Sequence, residues 1–201
     1  MRILVIGATG IIGKAVVQAL QGRHEVLEAS RKHGTYPADI TSKESLLGLF
    51  RKVGPVDAII SAAGSAAFKP LTQLGDADFQ LSLNDKLMGQ VNVVRLGLEH
   101  VRDGGSITLT SGVLAQEPMP GTSAIALVNS ALEGFTRAAA LEMPRGVRIN
   151  TVSPPWVNET LEALGMKGVP GIPAAQVARA YVESVEGPRS GQVLDARKFT
   201  A

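Results

Sequence analysis

The chain has 201 residues, enough for a single domain, residues 1–201, that buries about 70% of its unfolded-state surface without a metal or a crosslink. It has no cysteine, which removes disulfides, thiolate nucleophiles and thiolate metal sites, and fits a reducing, cytoplasmic setting. The formal charge is +2 on 19% charged residues, with the basic residues in short dispersed groups and only two tyrosines and one tryptophan, so neither a phosphate-tracking stripe nor a base-stacking platform supports a nucleic-acid partner.

The chain opens on an apolar run at residues 2–6, which leaves no room for a signal peptide ahead of it. A helix over residues 11–21 follows, then a strand over 24–29 and a very short one around 36–38. Ser42 reads as an N-cap for a helix over 43–53, ended by Gly54-Pro55. Residues 56–60 form a strand apolar enough for burial on both faces, as parallel sheets require. Apolar residues at Phe79, Leu83, Leu87, Val91, Val94 and Leu98 then keep a helical period across 76–101.

A strand over 106–110, a long helix over 123–142, a strand over 147–152, a helix over 174–184 and a last strand over 192–194 complete the series. This alternation predicts an α/β three-layer sandwich with a doubly wound parallel sheet, a Rossmann-like fold. Residues 165–173, rich in glycine and proline, read as a loop over the carboxyl edge of the sheet, where such folds bind ligands. No stretch of about 18 uninterrupted apolar residues occurs, so no membrane partner is expected.

Between the first strand and first helix lies "GATGIIG", residues 7–13. The order strand, tight glycine turn, helix is the context that turns G-x-x-G-x-x-G into a nucleotide site. Gly7 permits the turn, Gly10 lets backbone approach a diphosphate, and Gly13 lets the helix pack against the sheet, with the diphosphate at the helix N-terminus. No G-K-[ST] follows, which disfavours a P-loop. After the second strand, where an acid selects the ribose hydroxyls of NAD, this chain places Ser30, Arg31 and Lys32. A hydroxyl and a guanidinium suit a ribose 2′-phosphate, so NADP is expected over NAD. Glu28 competes only from inside the strand.

"GATGIIG", "ADITS" at 38–42, "SAAG" at 61–64, "GGSITLTSG" at 104–112, "NSALEGF" at 129–135 and "RINTVSPPW" at 148–156 occur in the order found in short-chain dehydrogenases/reductases. The chain resembles this family over essentially its whole length, and its shorter bacterial members in particular. The resemblance implies cofactor contacts from Gly7, Thr9, Gly10, Ile11, Ile12 and Gly13, from Ser30 and Arg31 at the phosphate, and from Asp39 and Ile40 at the adenine. Ala62, Ala63 and Gly64 stand where the family has Asn-Ala-Gly, and Pro154 lies beside the nicotinamide pocket. Pro155 replaces the familiar glycine.

The same resemblance makes Ser111 the catalytic serine, and it exposes a departure. The family's Tyr-x-x-x-Lys pair falls on Ile125 and Asn129, and Lys86 stands where an asparagine of the catalytic relay is expected. Hydride transfer to a carbonyl creates an alkoxide that needs a donor or an electrostatic partner. Ile125 offers none, and Ser111 without a neighbouring base is a weak acid. Lys86 is the substitute donor, with a snorkelling or salt-bridged surface lysine as the plain alternative. Asn129 contacts the nicotinamide ribose or is a buried amide satisfied by backbone. Glu117 and Ser123 are weaker candidates beside a loop.

Three functions follow from these residues. The first is an NADP-dependent oxidoreductase with a non-standard site, acting on a small carbonyl or related acceptor. The second is a catalytically silent NADP(H)-binding sensor or partner-binding protein. The third is a relative of sugar or flavin reductases that needs little proton donation. The largely apolar 123–142 helix, with 76–101, predicts a homodimer or homotetramer, as in family relatives, and Trp156, Leu161, Leu164 and Met166 suggest a modest apolar substrate pocket.

Overall fold

The computed structural model describes residues 1–32 and 35–199. Seven strands form one parallel sheet in the order β3-β2-β1-β4-β5-β6-β7. They are β1 (Arg2–Ile6), β2 (Glu25–Ser30), β3 (Tyr36–Pro37), β4 (Val56–Ser61), β5 (Val101–Thr110), β6 (Arg148–Ser153) and β7 (Val193–Asp195). The order runs outward in opposite directions from β1 and β4, which are paired in register from Ile3 with Ala58 to Ile6 with Ser61. That reversal is the switch point at whose carboxyl edge open α/β sheets leave a crevice.

Alternation along β1 explains the layers. Ile3 and Val5 join Ala58 and Ile60 in one buried cluster with α1 (Ile11–Leu20) and α7 (Ala174–Glu186). Leu4 and Ile6 join Ile59, Ile107, Leu109 and Ile149 in a second cluster, against α2 (Lys43–Val53), α4 (Gly89–Gly97) and α5 (Ser123–Ala139). Side chains of successive strand residues point to opposite faces, so apolar residues at every position require cover on both. The fold is the doubly wound α/β sandwich expected from the sequence. Ser42 caps α2 as expected, its Oγ accepting from the Ser45 amide at 3.2 Å.

Three segments differ from the sequence reading. The predicted helix over 76–101 is broken into α3 (Asp76–Leu81), a π-helical turn (Ser82–Met88), α4 and a 3₁₀ turn (Leu98–His100). Such π turns insert an extra residue and re-aim side chains. Here Gln90 stabilises the wider turn, its Nε2 donating to the Lys86 carbonyl at 3.2 Å and to the Thr110 carbonyl at 2.9 Å, while its Oε1 accepts from the Thr110 amide at 2.8 Å. β5 starts five residues earlier than predicted, and its pairing with β4 slips between Val56 and Ala58. The loop after β6 carries a short helix, α6 (Asn158–Ala163), which its glycines and prolines concealed. Among the described residues no helix is long and apolar enough to cross a membrane.

Candidate functional site

The turn after β1 is built around Gly7, at φ 88°, whose amide donates to the Ala29 carbonyl at 2.8 Å. A Cβ on Gly7 would meet the Ala62 backbone at 2.7 Å, and one on Gly13 would meet the Gly7 carbonyl oxygen at 2.0 Å. Backbone alone fits there, so α1 begins against the loop with Gly10 as its N-cap and no side-chain cap. The first-turn amides of α1 therefore have no side-chain acceptor.

Two cavities flank this loop. The first, of about 200 Å³, is lined by ten of the residues expected at the cofactor: Gly7, Thr9, Gly10, Ser30, Arg31, Asp39, Ile40 and the Ala62–Gly64 backbone turn. Ser65 and Asp85 line it as well and were not anticipated from sequence. Asp85 Oδ1 accepts from the Ser65 amide at 3.0 Å, and its Oδ2 lies 4.0 Å from the Arg31 guanidinium. Arg31, half exposed, is one of the residues that line the cavity. Asp39 is held below the usual carboxylate range by hydrogen bonds from the Thr41 hydroxyl and amide, with burial opposing. Of the remaining expected contacts, Ile11 is exposed at the first turn of α1 and lines neither cavity, and Gly13 acts through close packing on Gly7.

The second cavity, of about 250 Å³, gathers Ile12, Lys86, Ser111, Ile125, Asn129 and Pro154 with Val113, Leu114 and Trp156. All three residues expected in catalysis, Lys86, Ser111 and Asn129, meet here. Lys86 is not at a surface margin: the π turn carries it inward, it is buried, and its Nζ donates to the Ser111 carbonyl at 3.4 Å. Burial holds its amine down from 10.5 to about 8, opposed by the charge of Asp85. Asn129 Nδ2 donates to the Gly112 carbonyl at 3.4 Å, whereas its Oδ1 is buried without a partner. The backbone thus satisfies only half of the amide.

Ser111 departs most from the sequence reading, which gave it no neighbouring base. Its Oγ donates to Glu133 Oε1 at 3.0 Å, and Gln116 donates to the other carboxylate oxygen of Glu133. Burial raises the Glu133 carboxyl, and the bonds from Ser111 and Gln116 with the charge of Arg137 work against that. Ile125, Asn129 and Glu133 are spaced four apart on α5 and share one face. Carrying the 125/129 spacing one turn further would have found Glu133. Gly112 beside Ser111 is bare, and a Cβ there would meet Asn129 Nδ2 at 3.0 Å. Glu117 is instead paired with Arg197 at 2.8 Å, and Ser123 is exposed.

Tyr181, buried on α7, fastens that helix to the last residue of β5. Its hydroxyl lies 2.6 Å from Thr110 Oγ1, which donates to the Ser61 carbonyl at 2.6 Å. Burial pushes the Tyr181 hydroxyl up, so it stays neutral. Among the described residues no cluster of three or more His, Asp or Glu side chains is placed to hold a metal ion.

A family model described as enoyl-(acyl carrier protein) reductase matches residues 7–190. The chain is 31% identical over 146 residues to hydroxynaphthalene reductase arp2 of Aspergillus fumigatus, covering 68% of this chain and 54% of that relative. It is 28% identical over 179 residues to acetoacetyl-CoA reductase of Allochromatium vinosum, covering 80% and 72%. Among solved structures, the protein lin1944 from Listeria innocua superposes with a TM-score of 0.94 at 43% identity, over 97% of this chain and 98% of that one. A small-chain dehydrogenase in complex with NADPH superposes with a TM-score of 0.86 at 26% identity, over 97% and 95%.

Proposed function

Because the chain belongs to the short-chain dehydrogenase/reductase family, matched over residues 7–190, we propose that it binds NADP(H) and acts as an oxidoreductase on a small carbonyl or related acceptor through a non-standard site. The observation that carries this reading is the pair of cavities on either side of one glycine loop, one bordered by Ser30, Arg31 and Asp39, the other mostly apolar and bordered by Lys86 and Asn129.

The residues present fit a dinucleotide. The Gly7–Gly13 loop is a cradle that a Cβ at Gly7 or Gly13 would fill, and the orphaned Asn129 Oδ1 asks for a donor from a ligand. In this reading Gly7, Thr9 and Gly10 hold the diphosphate, Ser30 and Arg31 the ribose phosphate, and Asp39 and Ile40 the adenine. Ala62 to Gly64 line the path, and Ile12, Asn129 and Pro154 form the nicotinamide side. The bound group supplies or accepts hydride. Kinship with a small-chain dehydrogenase solved with NADPH supports the NADP reading, as does a guanidinium rather than a carboxylate at position 31.

What this chain's own side chains do follows from the second cavity. Ile125, Val113, Leu114 and Trp156 give it mostly apolar walls. The Ser111 hydroxyl is committed to Glu133, so it fixes the end of β5 rather than offering its proton to the cavity. Lys86 is then the charged donor that faces a developing oxyanion, and its depressed pKa eases release of a proton.

Turnover of carbonyl, enone and quinone panels, followed by nicotinamide absorbance, tests the reading. Activity lost in Lys86→Met supports it. A protein that binds NADPH and turns over nothing supports instead the silent sensor, which the apolar Ile125 in the cavity wall favours. We further propose a homodimer or homotetramer, supported by Leu127, Met88 and Leu83, which stay exposed on α5 and the turn packed beside it.

A further inference from the structure

We infer that Asp85 is a specificity residue for the nucleotide: its carboxylate opposes the ribose 2′-phosphate that Arg31 attracts, so the first cavity admits NADH as well as NADPH, with only a modest advantage to the latter. The inference rests on the reading above for what fills the cavity, and on geometry for what Asp85 does there. Asp85 comes from the π turn, whereas Ser30 and Arg31 come from the end of β2, so two distant parts of the chain bring opposite charges to one cavity.

The carboxylate is buried and tethered. Asp85 is 7% exposed, and its Oδ1 accepts from the Ser65 amide at 3.0 Å. The loop that carries Ser65 closes on the π turn at Gly64, where φ is 135° and a Cβ would meet Lys86 Cα at 3.0 Å. The other oxygen, Oδ2, lies 4.0 Å from the Arg31 guanidinium, an ion pair too long to be a hydrogen bond. A buried carboxylate with one amide donor and one distant cation is poorly compensated for leaving water, so fold stability does not account for it.

Charge then decides which nucleotide the cavity favours. Among the described residues its lining carries one cation, Arg31, and two carboxylates, Asp39 and Asp85. Asp39 is engaged by the hydroxyl and amide of Thr41, whereas Asp85 faces the guanidinium itself. A 2′-phosphate brought to Arg31 therefore enters the field of a carboxylate already paired with the same guanidinium. The Arg31 side chain is 59% exposed and its attraction is screened by salt, while that of Asp85 is 10% exposed and keeps more of its repulsion. The free ribose hydroxyl of NADH brings no charge to repel. Selectivity is a difference of affinities, and a buried repulsive group reduces it on the phosphorylated side.

The experiment measures NADPH and NADH binding by calorimetry to the full chain and to its Asp85→Asn and Asp85→Leu variants. Asparagine keeps an acceptor for the Ser65 amide and removes the charge, and leucine removes both. The two dinucleotides are identical at the nicotinamide end. Any effect of the substitutions on neighbouring Lys86 therefore cancels in the ratio of their affinities.

Wild type should prefer NADPH by about ten-fold or less, and both variants should raise that preference by about ten-fold through tighter NADPH binding, with NADH affinity of the asparagine variant within about two-fold of wild type. A wild-type preference beyond about a hundred-fold overturns the inference, as does an unchanged preference in the variants. A fall in preference overturns it too, and makes Asp85 the partner that aims Arg31 at the phosphate. A rise confined to the leucine variant also overturns it, because the lost Ser65 tether and not the charge is then the cause. If neither dinucleotide binds wild type or variants, the cofactor reading falls and the inference with it. Binding of both with no change in preference removes the inference alone.

Discussion

Ser111 Oγ donates to Glu133 Oε1 at 3.0 Å, joining the end of β5 to the middle of α5 through a buried carboxylate. The same carboxylate takes a bond from Gln116, so the loop that walls the apolar cavity is fastened through Glu133 as well. A residue with no place in the sequence reading thus sets the orientation of one that was central to it.

Glu133 makes stability pH-dependent. Its carboxyl is raised above 4.5, so the folded chain keeps this proton to higher pH than the unfolded chain does. The stability it contributes is present below the ordinary carboxylate range and is lost as pH rises through the raised value. Glu133→Gln removes that loss. Thermal melts from pH 4.5 to neutrality should show the variant gaining on wild type by a few degrees as pH increases.

Lys86 has the opposite sense. Its amine is held down from 10.5 to about 8, so between these values the unfolded chain binds more protons and stability rises with pH. Below about pH 8 the buried ammonium costs about 3 kcal/mol. Lys86→Met should be more stable than wild type at pH 7 by an amount of that order, and denaturant titrations of the variant should lose the slope between pH 8 and 10.5. A residue kept at such a cost to stability is in keeping with a role in the site.

Gly13→Ala should break the loop. Its Cβ would sit 2.0 Å from the Gly7 carbonyl oxygen, a backbone atom with nowhere to move except by shifting the turn. The expected cost is about 1–3 kcal/mol in chemical denaturation, with at least ten-fold weaker NADPH binding by calorimetry.

Arg31→Ala should lower NADPH affinity by about ten-fold and leave NADH affinity within about two-fold, because only the former presents a 2′-phosphate to the guanidinium. The wild-type preference should shrink as salt is added, since Arg31 is half exposed.

Leu127→Arg should shift light scattering at micromolar concentration from dimer or tetramer toward monomer. The side chain is 45% exposed on an α5 face whose other flank is buried against the sheet, and a charge there opposes a symmetric partner.

The layers and the glycine loop were legible because both rest on local rules. Alternation in β1, the Ser42 cap and the strand-glycine-helix order each need only neighbouring residues. The catalytic end was legible by type and not by posture. Lys86 was found as a residue, but its burial depends on the π turn that Gln90 holds open against β5, a contact between residues 90 and 110. Glu133 was passed over because an acid on a long helix is usually solvated, and only the fold brings it to Ser111. Asp85 was missed for the same reason, since it joins Arg31 across elements that no local pattern connects.

The measurement that bears most directly on the account is a crystal structure of the protein grown with NADPH. The account predicts density along Gly7 to Gly13, the 2′-phosphate on Ser30 or Arg31, and the nicotinamide in the cavity that holds Lys86 and Asn129. Density elsewhere, or none in protein saturated with NADPH, would contradict it.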